Sequence, residues 1–323
     1  MRCRILSCLL GVCLSAVASI ARAESALRWH WEDAFTAAEQ TLIEDWLQRV
    51  QQGVIRLVGP VPYQAHVHLH RRPSDRSPVP WANTRKYGVP AVHFYVDPSH
   101  GAQALAADWT AAHELVHLLF PYLGEDSRWF AEGVASYLQY QVMYLNGKRS
   151  WTATVDKLGE RFARGRGSRR GRGLSIPEHS RVLSRTRGHV RLYWGGAAYF
   201  LLADQALAEQ TADRAQPLRL NDLIGRYVDC CWKLWGADAM AMIRAFDRLS
   251  ETAVFRETFE ATMMPERFPD TAAAERWLRL NPPRPAVIAD QVRALPSAAA
   301  VQRSIQQRLI DAGPQLPTDR VGG

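Results

Sequence analysis

Two apolar helical stretches each carry ionisable residues at positions facing a core, and that pairing constrains the fold more than any other feature of the chain. In His113-Glu114-Leu115-Val116-His117-Leu118-Leu119-Phe120, two histidines stand four residues apart. Residues four apart on a helix differ by about 40° around its axis, so both imidazoles leave on one side, one turn apart. Glu114 leaves beside them. Fifteen residues after His117, Glu132 stands among apolar neighbours in Arg128-Trp129-Phe130-Ala131-Glu132-Gly133-Val134-Ala135-Ser136-Tyr137. A carboxylate buried there without a partner would be expensive. Pro121 and Gly124 fall between the two stretches, where the chain has to turn back for the second helix to meet the first.

Two imidazoles and one carboxylate form the protein's share of a catalytic zinc site, whose fourth position is kept for water. His113, His117 and Glu132 are therefore the expected ligands of one Zn2+ ion, with Glu114 placed to serve as general base toward the water. His-Glu-x-x-His alone also occurs on buried helices whose histidines are ordinary satisfied groups. Glu132 is what separates the two readings. Ligating imidazoles need an acceptor on their other nitrogen, for which Asp108, Glu125, Asp126 and Ser136 are the candidates.

HELVH followed by WFAEGVASYLQY resembles the gluzincin zinc metallopeptidases, in which a helix carrying HExxH is followed by a second helix bearing a glutamate ligand. The second stretch is close to the alanyl aminopeptidase-like enzymes, and the overall plan is similar to the smaller peptidase MA-like and glycyl aminopeptidase-like proteins. The resemblance covers about residues 104–210. It implies a zincin-like metallopeptidase fold, a peptide or protein substrate, and a tyrosine that hydrogen-bonds the oxyanion. Tyr193-Trp194-Gly195-Gly196 stands where that tyrosine is expected, which makes Tyr193 the second catalytic residue, with Tyr199 and Tyr137 as competitors. No Gly-x-Met-Glu-Asn segment precedes the metal helix, so aminopeptidase and endopeptidase action both stay open. The alternative function is a catalytically inactive binding protein of the same fold.

Periodicity supplies the frame. Alternating bulky residues predict strands over Ala26 to Glu32, Tyr63 to Leu69 and Ala91 to Val96, and 3.6-residue spacing predicts a helix from Thr36 to Leu57. The polar stretch from Arg71 to Lys86 reads as a loop. Helices are expected from Ala104 to Phe120, Ser127 to Asn146 and Tyr193 to Gln210, with shorter ones up to Leu280. The fold class is thus α+β: a small mixed sheet in about residues 24–103, then a mainly helical lobe in about 104–280. The strand from Ala91 to Val96, read as a sheet edge, is expected to pair with an extended substrate.

The ends and three local runs complete the picture. Residues 1–23 read as a secretory signal peptide, with a basic head, an apolar core and Ala21-Arg22-Ala23 at the cleavage site, which implies export to a bacterial periplasm or the medium. Residues 281–323, rich in proline, read as a loosely ordered tail. No later segment is apolar and long enough to span a membrane. The net charge of +8 is mild and falls further without the leader's arginines, so no specific nucleic acid is expected. The leader holds three of the five cysteines, and the adjacent Cys230 and Cys231 are expected to remain two small apolar residues or to pair between molecules. Arg161 to Gly173, with six arginines and four glycines, reads as a mobile positive loop, open to contact with an anionic polymer. His66, His68 and His70 alternate on one strand face, where three imidazoles could catch a divalent metal. That run contains no carboxylate, so it reads as a solvated strand face.

Overall fold

The computed structural model describes residues 27–286 apart from 87, 234 and 235, so the expected leader and most of the proline-rich tail lie outside the described residues. The chain is α+β, as its periodicity implies. Strands β1 (Leu27–Trp31), β2 (Ala65–Arg71), β3 (Trp81–Arg85) and β4 (Ala91–Val96) form one sheet in the order β1-β2-β4-β3. β1, β2 and β4 run parallel, and β3 pairs antiparallel with β4. Helix α1 (Ala37–Val58) links β1 to β2. Thr36 and Glu39 cap its start reciprocally, side chain to backbone, satisfying donors that the first turn leaves free.

The two faces of this sheet differ sharply. Val67 and Leu69 of β2 and Val92, Phe94 and Val96 of β4 are fully buried against the apolar stripe of α1, including Ile43, Leu47 and Val54. Each such aliphatic or aromatic side chain taken out of water contributes about 1.5–3 kcal/mol. Because successive side chains on a strand alternate, His66, His68 and His70 are sent to the opposite face.

The helical part begins with α2 (Gly101–Ala107) and α3 (Thr110–His117). The single helix expected from Ala104 is interrupted at Asp108, whose backbone is extended and whose carboxylate accepts from the Thr110 amide at 2.7 Å. At the other end of α3, the indole of Trp232 donates to the Leu118 carbonyl at 3.0 Å. Next come α4 (Arg128–Leu145), α5 (Trp151–Gly167), α6 (Ile176–Arg181), α7 (Leu183–Thr186) and α8 (His189–Gln210). Helices α9 (Leu220–Cys231), α10 (Ala239–Ser250), α11 (Val254–Thr262) and α12 (Ala272–Leu280) close the core around α4 and α8. Among the described residues, no helix is long and apolar enough to cross a membrane.

Further expectations are corrected. The stretch expected to be loop from Arg71 to Lys86 contains β3, a five-residue edge strand whose polar outer residues Asn83 and Arg85 hide its alternation. It follows that β4 is an interior strand, not an edge, and cannot itself take up a substrate strand.

The arginine-glycine run is not a free loop. Its first half is the end of α5, where Phe162 is fully buried and Gly165 lets the helix approach Trp194 and Phe268. The Arg161 guanidinium lies over Trp194 and donates to the Tyr140 hydroxyl, and that of Arg166 lies over Phe268. Gly171 has φ 76°, and a Cβ there would meet the His179 ring at 2.2 Å, which explains a glycine at that position.

Cys230 and Cys231 are joined to each other by a disulfide where α9 ends and Trp232 becomes extended, so the pair neither stays reduced nor bonds between chains. The described start of the tail is docked: the Arg219 guanidinium donates to the Asn281 carbonyl, and the Ala286 amide to the Arg56 carbonyl.

Candidate metal centre

Helices α3 and α4 bring the three expected ligands together. His113 Nε2 lies 3.2 Å from His117 Nε2 and 3.1 Å from Glu132 Oε2, and His117 Nε2 lies 3.6 Å from the same oxygen. Ligands held at 2.0–2.1 Å in a tetrahedron sit about 3.3 Å apart, so this triangle has the dimensions of three corners around one zinc ion. Three lone-pair-bearing atoms facing a common point repel one another unless protons or a cation lie among them. The donor set and its spacing therefore fit zinc.

Within the triad, opposite charges offset the burial of each group. Burial alone would push the Glu132 carboxyl upward, but the His117 and His113 imidazoles opposite outweigh it and hold the group ionised. Burial likewise works against protonation of His113, and Glu132 outweighs it, raising that imidazole above its ordinary value.

Two glycines set the approach of the helices that carry the site. A Cβ on Gly196 of α8 would stand 2.1 Å from the Trp129 carbonyl oxygen, and one on Gly133 of α4 would stand 2.5 Å from the Gly196 carbonyl carbon. Glu132 adjoins one of these glycines and Tyr193 lies three residues before the other, so the close pass of α4 and α8 delivers both side chains beside His113. Ser180 of α6 accepts from the Trp129 amide, supplying one partner to the first turn of α4.

Tyr193 packs over the site, its ring 6.5 Å from that of His113. Burial, with the Glu132 charge added, holds the phenol protonated far above its ordinary range. Its two competitors are occupied elsewhere: the Tyr137 hydroxyl donates to Asp204, and that of Tyr199 to the Phe255 carbonyl.

Three further residues complete the surroundings. Gln139 Oε1 meets His113 Nδ1 at 2.8 Å, so a carbonyl takes the hydrogen there and leaves Nε2 with its lone pair toward the site. Three of the acceptors expected from the sequence are engaged elsewhere: Asp108 accepts from the Thr110 amide, Glu125 pairs with Arg128, and Asp126 faces Arg181. Gln139 is seven residues after Glu132 and so lies two turns along the same face of α4, a spacing that identifies it. From β3, the Thr84 hydroxyl donates to Glu114 Oε2 at 2.7 Å. Lys86 follows, its Nζ donating to the Pro121 carbonyl; burial draws its pKa down to about 7, against the opposing pull of Glu114 and Glu132. Both residues fall in the stretch read as loop, where no periodic signal points to the site.

Near Tyr193 opens a cavity of about 740 Å³ lined by four arginines (Arg128, Arg170, Arg181 and Arg187), by Glu125, which pairs with Arg128, and by His189, which meets the Tyr193 ring edge-on. Arg170 is the one arginine of the 161–173 run that reaches it.

No protein-family model matches the sequence, and no curated protein matches it. Among solved structures, an aminopeptidase N family protein from Idiomarina loihiensis aligns over 77% of this chain and 46% of its own, with a TM-score of 0.57 and 15% identity. The fold is similar to that of this aminopeptidase N family protein. At that identity the likeness speaks to architecture alone, and the chain spans less than half the length of that protein.

Proposed function

We propose that the protein is a zinc-dependent peptidase that hydrolyses peptide bonds at the centre formed by α3 and α4. His113, His117 and Glu132 would hold the ion. When bound, zinc supplies Lewis acidity and a nucleophilic water at neutral pH. Glu114 is the general base, taking a proton from the attacking water and handing it to the leaving amine nitrogen. The Thr84 hydroxyl holds the Glu114 carboxylate in one orientation through Oε2. Gln139 fixes the tautomer and plane of His113. The Tyr193 hydroxyl, kept protonated, donates to the oxygen on which negative charge develops.

The free edge of β3 is the natural place for an extended substrate, because Thr84 of this strand touches Glu114. Main-chain hydrogen bonds along an edge give affinity without demanding one side chain. The arginine-lined cavity beside Tyr193 favours substrates with acidic groups near the cleaved bond, and this takes over the anionic contact expected of the 161–173 run. A leader-like segment 1–23 together with the Cys230–Cys231 bond suits action in an oxidising compartment outside the cytoplasm.

The convergence of two imidazoles and one carboxylate within 3.6 Å of one another carries this reading. It is tested by incubating zinc-loaded protein with an unbiased peptide pool beside Glu114→Gln and Tyr193→Phe. Glu114→Gln is expected to abolish cleavage with zinc content unchanged. Tyr193→Phe is expected to lose about 3–4 kcal/mol of barrier lowering, again without losing metal. No cleavage by either protein would leave the inactive binding protein as the better account, and equal cleavage by both would overturn Glu114 as the general base.

A further inference from the structure

The sheet face turned away from the core carries five imidazoles from three strands. His30 comes from β1, His66, His68 and His70 from β2, and His93 from β4. Register puts His30, His68 and His93 in one row across the sheet, with ring centroids 4.5 Å and 4.3 Å apart and planes nearly parallel. Within this array His30 Nε2 lies 3.0 Å from His66 Nδ1. His30, His66 and His68 each offer a nitrogen within 4.8 Å of the others.

We infer that His30, His66 and His68 form a second metal site, separate from the one on α3 and α4, for a divalent transition-metal ion of the zinc or copper class. Three neutral imidazoles are the donor set such ions prefer over magnesium or calcium. The 3.0 Å gap between the first two nitrogens is close to the roughly 3.3 Å spacing of two ligands on one zinc.

The third ligand is oriented by a carboxylate. Glu32, two residues beyond His30 on the β1 side, lies with Oε1 at 2.6 Å from His68 Nδ1. An ionised carboxylate only accepts, so His68 donates from Nδ1 and keeps the Nε2 lone pair for a ligand, the arrangement that ordinarily supports metal-binding histidines. The sequence run His66 to His70 holds no carboxylate. Parallel pairing of β1 with β2 brings one to it.

The test is calorimetric titration of tag-free, full-length protein with Zn2+, with the visible spectrum of bound Co2+ as a second readout. Three proteins are compared: wild type, His30→Asn/His68→Asn and His113→Asn/His117→Asn, each checked for native circular dichroism. The sheet-face variant is expected to bind one ion fewer than wild type and to keep its peptide cleavage. The helix variant is expected to retain an ion that disappears when the two pairs of substitutions are combined. Glu32→Gln, with all three ligands kept, should weaken this ion's binding about ten- to a hundredfold. Wild-type stoichiometry in the sheet-face variant, or undiminished affinity in Glu32→Gln, overturns the inference. Because this readout is metal stoichiometry and not catalysis, it stands or falls apart from the peptidase proposal.

Discussion

At the scale of single residues, the site depends on groups that touch no ligand directly. Thr84 is the clearest case. Its hydroxyl donates to a carboxylate that is itself nearly buried, so Thr84→Val removes a hydrogen bond to a charged group, an interaction worth about 1.5–3 kcal/mol. If that energy keeps Glu114 aligned with the water, kcat should fall about ten- to a hundredfold while KM and zinc content stay put. Thr84→Ser should restore most of the loss. Steady-state kinetics on all three proteins decides the matter, and a change confined to KM would assign Thr84 to substrate binding instead. Gln139 illustrates a residue that could have been read earlier, since helical spacing places it on Glu132's face. Thr84 could not, because its closeness to Glu114 arises from sheet pairing across 30 residues of sequence.

Among the elements, α4 and α8 pack closely beside the candidate metal centre. The pass between α4 and α8 leaves no space for a methyl group at Gly196, and the obstructing atom is a backbone oxygen that cannot rotate aside. Gly196→Ala should therefore destabilise by at least the 1–3 kcal/mol typical of overpacking. It should also weaken zinc binding, because relief means moving α4 and Glu132 away from α8. Thermal melts and zinc titration check both effects, and a variant with the wild-type melting temperature would show that the two helices have slack.

The start of α1 gives an element-scale prediction about pH. The Arg71 guanidinium, then the Thr36 amide, draw the Glu39 carboxyl from its ordinary value down to about 2. A carboxyl depressed in the folded state adds stability that is complete above its unfolded pKa, about 4.5, and is lost as pH falls through about 2. The stability gap between wild type and Glu39→Gln should thus be constant above pH 5 and shrink steadily toward pH 2. Urea denaturation across that range measures it, and a gap independent of pH would refute the linkage.

For the molecule as a whole, one buried ion pair joins the pieces around the centre. Asp204 of α8 accepts from Arg219 through two bonds of 2.9 Å and 2.8 Å, from the Tyr137 hydroxyl of α4, and from the Leu220 amide of α9. The Arg219 guanidinium continues outward over the Trp277 ring of α12 and to the Asn281 carbonyl. Arg219→Met strands a buried carboxylate and should cost about 3–5 kcal/mol, whereas Arg219→Met/Asp204→Leu should recover a large part of it. Urea midpoints for both variants test this. A double variant no better than the single one would mean that Asp204's other two bonds carry the stability.

The sequence by itself determined which elements exist wherever the hydrophobic period is strong, as in α1, α4 and the strands facing it, and it singled out His113, His117 and Glu132, because two histidines and a carboxylate on apolar helix faces need partners. What only the tertiary structure decided are the relations between segments whose own patterns are silent. β3 is too short and polar to announce itself, yet by pairing with β4 it takes the sheet edge and places Thr84 and Lys86 at the site. The run from Arg161 is polar by composition, yet Arg161 and Arg166 lie over the rings of Trp194 and Phe268, which distant segments supply. Glu32 and His68 lie 36 residues apart and meet only because β1 and β2 are parallel. Local periodicity records which face of an element is apolar. Which other face it meets is set by packing among distant segments, and that leaves no periodic trace in the chain.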